Sequence, residues 1–284
     1  MNKIKNLFLH HIVPVIVIVI GIAFVPSCDI VEEPYLVKVG TDGGTEPEEK
    51  VRKFLLEDFT GQQCPNCPKA AQEAQSLKAI YGEQLIVVSI HSGPFSVPDD
   101  SYTADFRTPE GTEIHDFYAP QGYPIGMVSR TVFGNSVLML KDNWQYAVAD
   151  QALLDAQAWI AIENNYNTST RKLECTVETE FLEDLAGTYN VCVFILESGI
   201  ISPQLTSQGK DENYEHNHML RGSLNGAWGD LVGTDGSAVI GHASTDNYSF
   251  TLPASWNADH CEIVAFVYNT ETLEIVQAED EAVN

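Results

Sequence analysis

The stretch Thr60-Gly61-Gln62-Gln63-Cys64-Pro65-Asn66-Cys67-Pro68-Lys69 holds the only CxxC of the chain. Cysteines at this spacing serve as a redox dithiol, as half of a metal site, or as a structural pair. The flanking sequence weighs these readings. Upstream, residues 51–59 (VRKFLLEDF) read as a strand. Downstream, residues 69–81 carry Ala70, Ala74, Leu77 and Tyr81 at helical spacing, and Gly82 ends the pattern. Residues 85–91 (LIVVSIH) form an unbroken, β-branched apolar run, as expected of a buried parallel strand. The order is strand, CxxC, helix, strand: a βαβ unit with the dithiol at a helix N-terminus.

That position matters chemically. A helix N-terminus carries about half a positive charge, which favours the thiolate of Cys64. Cys67, one turn further in, is placed to resolve a mixed disulfide. This chemistry needs no metal and no organic cofactor. The metal reading needs four ligands, and no second CxxC or nearby CxxH supplies the other two. The structural reading stays open, because an exported chain has no reducing cytosol around it.

Export is written into the N-terminus. Lys3 and Lys5 precede an apolar run at residues 12–25, which ends in Val25-Pro26-Ser27-Cys28. This is the order of a secretory signal, residues 1–27. The run is shorter than the roughly 20 apolar residues of a spanning helix and contains Pro14. A small residue followed by Cys28 resembles a bacterial lipobox. Acyl chains on Cys28 would anchor the protein, each buried CH₂ contributing about 0.8 kcal/mol. Ordinary cleavage with a spare thiol is the alternative. Residues 28–50 are acidic and poor in large apolar side chains, as a tether would be. Beyond the signal, residues 28–284 carry a formal charge of −27. So acidic a surface repels phosphate backbones, and nucleic acid is not expected as a partner.

After the βαβ unit, residues 92–122 form a Pro- and acid-containing excursion with a short helix expected around 114–118. Gly122-Tyr123-Pro124-Ile125-Gly126-Met127-Val128-Ser129-Arg130 puts a proline at the mouth of a strand, and residues 141–157 read as a helix with Trp144, Val148, Leu153 and Leu154 near one face. From residue 158 the expected period is two. Residues 159–163, 173–180, 189–196, 248–252 and 261–268 read as alternating short strands, which suggests a β-sandwich at residues 158–284.

Strand, CxxC, helix, strand, then proline before the next strand resembles the thioredoxin fold. The resemblance implies a thioredoxin-like α/β domain at residues 51–157, with 92–122 as an insertion, followed by an immunoglobulin-like β-sandwich. It implies a cis Pro124 facing Cys64 and Cys67, with Tyr123 offering backbone hydrogen bonds to a bound peptide. Gln63 stands where Trp is frequent, and Pro65-Asn66 and Pro68 flank the cysteines. These departures leave the redox potential open. Residues 55–68 (LLEDFTGQQCPNCP), 122–130 (GYPIGMVSR) and 216–222 (HNHMLRG) also resemble the exported lipoproteins named for a 28-kilodalton outer membrane protein. That likeness implies an outer-membrane or surface location, attachment through the lipid anchor, and exported protein thiols or disulfides as partners.

Other residues carry two readings each. His216 and His218 would share a face on a strand, where they would hold a metal with further acids; a loop with Arg221 paired to an acid is the plainer reading. His91 closes its strand near the dithiol and either tunes Cys64 or is an ordinary hydrogen-bonded histidine. Asp58 is either a buried proton acceptor or a surface acid. Cys175 and Cys261 read as small hydrophobes of the β core, and two of Cys175, Cys192 and Cys261 are available to pair. Two function classes follow: thiol–disulfide exchange on exported proteins, or a surface binding module in which the Cys64–Cys67 disulfide is structural.

Overall fold

The computed structural model describes residues 50–284. The signal segment 1–27, Cys28 and the tether up to residue 49 lie outside the described residues. Strand β1 (Phe54–Thr60) leads through the CPNC turn into helix α1 (Cys67–Tyr81) and strand β2 (Leu85–His91). Helix α2 (Pro109–Tyr118), β3 (Ile125–Val128) and α3 (Trp144–Gln151) follow. Then come β4 (Ala158–Asn167), β5 (Lys172–Phe181) and β6 (Tyr189–Glu197), and the short strands β7 (Ile200–Ile201), β8 (Gln204–Thr206), β9 (Gly209–Asp211) and β10 (Glu215–His216). Strands β11 (Met219–Ser223), β12 (Asp230–Leu231), β13 (Ala243–Thr251), β14 (Cys261–Asn269) and β15 (Ile275–Ala282) complete the chain. The fold is mixed α/β, rich in strands.

Strand β1 pairs with β2 in parallel, from Phe54↔Leu85 to Thr60↔His91, and with β3 antiparallel, from Leu56↔Val128 to Phe59↔Ile125. The Tyr123–Pro124 bond is cis. One step beyond Phe59↔Ile125, Pro124 falls beside Thr60, where β1 gives way to the CPNC turn. Ala70, Ala74 and Leu77 of α1 bury against Phe54, Leu56 and Val87, so the helix packs across one face of the β1–β2 pair.

The main sheet does not stop at residue 157. Its strand order is β15-β14-β6-β11-β2-β1-β3, with β12 attached to β6. Met219 of β11 pairs with Ser89 of β2 in parallel, and the Ser89 N–H donates to the His218 carbonyl at 2.7 Å. The second sheet, β13-β5-β4, is separate. Its inward residues Ile160, Leu173, Cys175 and Val177 pack against Val193, Ile195 and Ile263 of the main sheet. Two layers of strand therefore do face each other, but the larger layer is the sheet that also holds the CPNC unit.

This explains a local misreading. Strands β6 and β14 do not alternate: YNVCVFILE and CEIVAFVYN are nearly unbroken apolar runs. Odd-numbered Val191, Val193 and Ile195 face the β4–β5 layer, while Cys192, Phe194 and Leu196 face a second core with Leu55, Phe59 and Ile90. A strand covered on both faces needs apolar residues on both. By contrast, β5 (KLECTVETEF) alternates, because one of its faces meets water.

The helix expected at residues 141–157 also shifts. Helix α3 ends at Gln151, and Leu153 and Leu154 are exposed rather than buried on its core face. Cys175, Cys192 and Cys261 are all free and buried, so no two of them pair. Cys192 lies on the opposite face of β6 from the core that holds the other two.

Candidate functional site around the Cys64–Cys67 disulfide

Cys64 and Cys67 form a disulfide with a Cα–Cα distance of 5.4 Å. Strand β1 delivers the first cysteine and α1 begins at the second. Asn66 is the N-cap and proline sits in the first helical turn, where a missing N–H costs nothing. The Cys67 N–H donates to Cys64 Sγ at 3.1 Å, so an orphan donor of the helix start points at the first sulfur. This is the geometry that lowers the energy of a thiolate at Cys64.

Behind the disulfide lies a cavity of about 30 Å³. Its wall includes Cys67 of α1, Asp58 of β1, His91 of β2, and Gln204, Tyr214 and His216 from the segment between β6 and β11. Asp58 is buried, so it is not a surface acid, and its Oδ1 has no hydrogen-bond partner. Burial alone pushes its carboxyl up from the usual 3.8 to about 8. His91 is also buried, with Nδ1 unpartnered, and is held well below the ordinary histidine value by burial and by neighbouring His216 and Arg221. His216 drops to about 4, chiefly through burial. The rings of His91 and His216 meet edge to face with centroids 5.4 Å apart, and Phe106 packs on both. At neutral pH the cavity wall is therefore uncharged: a protonated carboxyl and two neutral imidazoles beside Cys67.

The two histidines of HNHMLRG do not act together. His216 Nε2 hydrogen-bonds the Ser202 carbonyl at 3.3 Å and faces the cavity. His218 has φ 55° between β10 and β11, and its Nδ1 lies 3.3 Å from Glu262. The break between strands sends the two rings to different neighbours. Among the described residues no group of three His, Cys, Asp or Glu side chains could hold a metal ion. Arg221 pairs with Glu197 at 3.3 Å.

The front of the site is closed. Cys64 is 1% exposed and Cys67 3%. Gln62, inside the turn, is buried and donates through Nε2 to the carbonyls of Tyr102 and Ala104 at 3.2 and 2.8 Å. Tyr123 places its hydroxyl 2.5 Å from His115 Nε2 and its ring 5.5 Å from that of Phe95, within the 92–122 excursion. Sequence reasoning missed Gln204 and Tyr214. Their only local signal is the turn Ser207-Gln208-Gly209, which marks a hairpin but not what it covers.

Below the site, Glu57 and Arg130 form a buried bidentate pair at 2.7 and 2.8 Å. Tyr118, Trp228, Phe266 and Tyr268 surround the guanidinium with ring centroids 5.1 to 6.0 Å away. This pins the GYPIGMVSR segment to β1 and, through Phe266 and Tyr268, to β14.

The profile of the family described as "Outer membrane protein Omp28" matches residues 112–284, more than half of the chain. The chain belongs to that family. Its location is accordingly the outer membrane. The matched residues include Tyr123, Pro124 and the HNHMLRG segment, whereas Cys64 and Cys67 precede them. Among solved structures, HBP35 of Porphyromonas gingivalis is 18% identical, with a TM-score of 0.61 over 82% of this chain and 76% of that one. This is a likeness of fold. A domain of the outer membrane lipoprotein Omp28 from Porphyromonas gingivalis is 25% identical over 45% of this chain and 89% of that one, with a TM-score of 0.31. No curated protein matches the chain. Among the described residues no helix is long and apolar enough to cross a membrane.

Proposed function

We propose that this Omp28-family protein is a lipoprotein anchored through Cys28, whose thioredoxin-like unit carries out thiol–disulfide exchange on exported proteins. The observation that carries this is Asp58. A buried carboxyl with an unpartnered oxygen lowers stability, and a purely structural disulfide gains nothing from one beside it. Next to a sulfur that leaves as thiolate, a proton held up to about pH 8 has a use. A substrate thiolate attacks Cys64 Sγ, the Cys64–Cys67 bond breaks, and Cys67 leaves and takes its proton from the Asp58 carboxyl. A second substrate thiolate then attacks the substrate sulfur of the mixed disulfide. Cys64 leaves as thiolate, and the substrate carries away a disulfide. The reverse sequence reduces a substrate. The strand order, the helix start at Cys67 and the place of Pro124 at the mouth of β3 support the thioredoxin-like reading. Partners are exported protein thiols or disulfides and the membrane, not nucleic acid.

The test is a redox titration read by the alkylation mass of Cys64 and Cys67. A pair that cycles between about −120 and −270 mV, with Cys67→Ser trapping mixed disulfides at Cys64, agrees with exchange. A pair still oxidised below about −300 mV removes it. The burial of both cysteines favours a second reading, a surface binding module with a structural disulfide. In that case binding survives Cys64→Ser. The mass of the mature N-terminus tests acylation of Cys28.

A further inference from the structure

The CPNC turn is gripped from two sides, and the two grips differ in kind. On one side, the Gln63 N–H donates to the Phe95 carbonyl at 2.9 Å. Gly61 lies so close there that a Cβ would stand 2.6 Å from the Phe95 carbonyl carbon, so backbone rests on backbone. Phe95 is itself wedged against Tyr123, which is tied to His115. This grip belongs to the body of the protein.

On the other side stands β8. The Leu205 N–H donates to the Gln62 carbonyl at 2.7 Å. Gln204, 3% exposed, directs Nε2 at the carbonyls of Cys64 and Gly61, at 3.0 and 3.3 Å. Strand β8 pairs with β9 alone, and residues 207–213 are exposed. The hairpin is thus a two-stranded flap that extends from the β7–β10 ladder and is rooted over the dithiol by one buried amide, one backbone bond and the Lys210 ammonium over the Tyr102 ring. Isolated hairpins of two strands are marginal in water, and such elements open at low free-energy cost. Beneath its outer part runs a groove of about 610 Å³, between Pro65, Pro68, Lys69 and Gln72 at the start of α1 and Lys210 and Tyr214 of the hairpin segment.

We infer that the β8–β9 hairpin is a substrate-selecting gate. Closed, its Leu205 N–H occupies the Gln62 carbonyl beside the dithiol, and Gln204 holds the turn shut. An extended polypeptide offers the same backbone donor, fills the groove along α1, and displaces β8 as it brings its thiol to Cys64. A small thiol has no chain to exchange for β8 and meets a buried sulfur. The substrate class is therefore unfolded or extended protein segments carrying thiols, with small thiols excluded. This inference rests on the exchange reading.

The experiment uses the full-length chain in detergent. Reduced glutathione and reduced, unfolded ribonuclease are the two probes, and reaction at Cys64 and Cys67 is followed by alkylation mass. Gln204→Ala removes the amide. Gln204→Glu keeps its length but turns a carboxylate toward the carbonyl oxygens of Gly61, Cys64 and Leu205, so it opens the gate by a second route. Thermal unfolding confirms that both variants fold. We expect both to react with glutathione about 10- to 30-fold faster than wild type, the factor for losing one or two hydrogen bonds of the closed state, with little change toward ribonuclease. Unchanged glutathione rates in both folded variants overturn the gate while leaving exchange intact. Equal acceleration toward both probes overturns selection. Failure of every form to react with either probe removes the exchange reading itself, and the gate with it.

Discussion

Asp58→Asn should stabilise the oxidised protein, and by an amount that depends on pH. In the folded chain the carboxyl keeps its proton to about pH 8, because burial disfavours the charge and no partner offsets it. Unfolded, it ionises near the usual 3.8. Between these values the unfolded state binds fewer protons than the folded state. Stability therefore falls as pH rises from about 4 to about 8, by roughly 1.4 kcal/mol per unit, and is flat beyond. Asparagine has the same shape and no proton to lose. Between pH 5 and pH 7 the stability difference between variant and wild type should widen by about 3 kcal/mol, two units at that slope. The assay is guanidinium unfolding of residues 50–284, which form one compact unit, at pH 5, 6, 7 and 8. Subtracting the two curves cancels groups common to both. Parallel curves, with a difference constant to about 0.5 kcal/mol, would refute the reasoning: Asp58 would then ionise normally, and Cys67 would have no proton donor.

Other consequences are as direct. His216, held neutral to about pH 4, has the opposite sign: its unfolded form binds a proton from about 6.5 downward, so its contribution is lost as pH falls through that window. Over pH 6.5 to 4.5, His216→Phe should lose roughly 2 kcal/mol less than wild type in the same unfolding assay, and equal losses would rule this out. Glu57→Gln leaves the buried Arg130 guanidinium without its counter-charge and should cost about 3–5 kcal/mol at pH 7; a cost under about 1 kcal/mol in urea would show that the four surrounding rings suffice.

The CPNC unit was legible because its signals are local. Strand, turn, helix and strand each follow from a few neighbouring residues, and the periods of residues 69–81 and 85–91 settle their type. The joining of the two halves was not legible. It depends on β11 laying a short stretch of backbone against β2, and no side-chain pattern announces which strand a sheet edge receives. A partial clue did exist in YNVCVFILE and CEIVAFVYN: runs apolar on both faces belong to the middle of a covered sheet, not to a layer with one wet side. Asp58 illustrates the other limit. Its place amid LLEDF shows that it points away from Leu55 and Phe59, but whether that second face meets water depends on α1 and on residues 204–217, more than a hundred positions away.

That distance bears on what the two halves do for each other. The cavity behind Cys67 is walled on one side by β1, β2 and α1, and on the other by Gln204, Tyr214 and His216. The first group precedes the family-matched region and the second lies within it. The Gln204 amide spans them, donating to the carbonyls of Gly61 and Cys64, while Tyr214 and His216 line the same cavity as Asp58 and His91. A change at Tyr214 or His216 therefore reaches the cavity behind Cys67 without touching a cysteine.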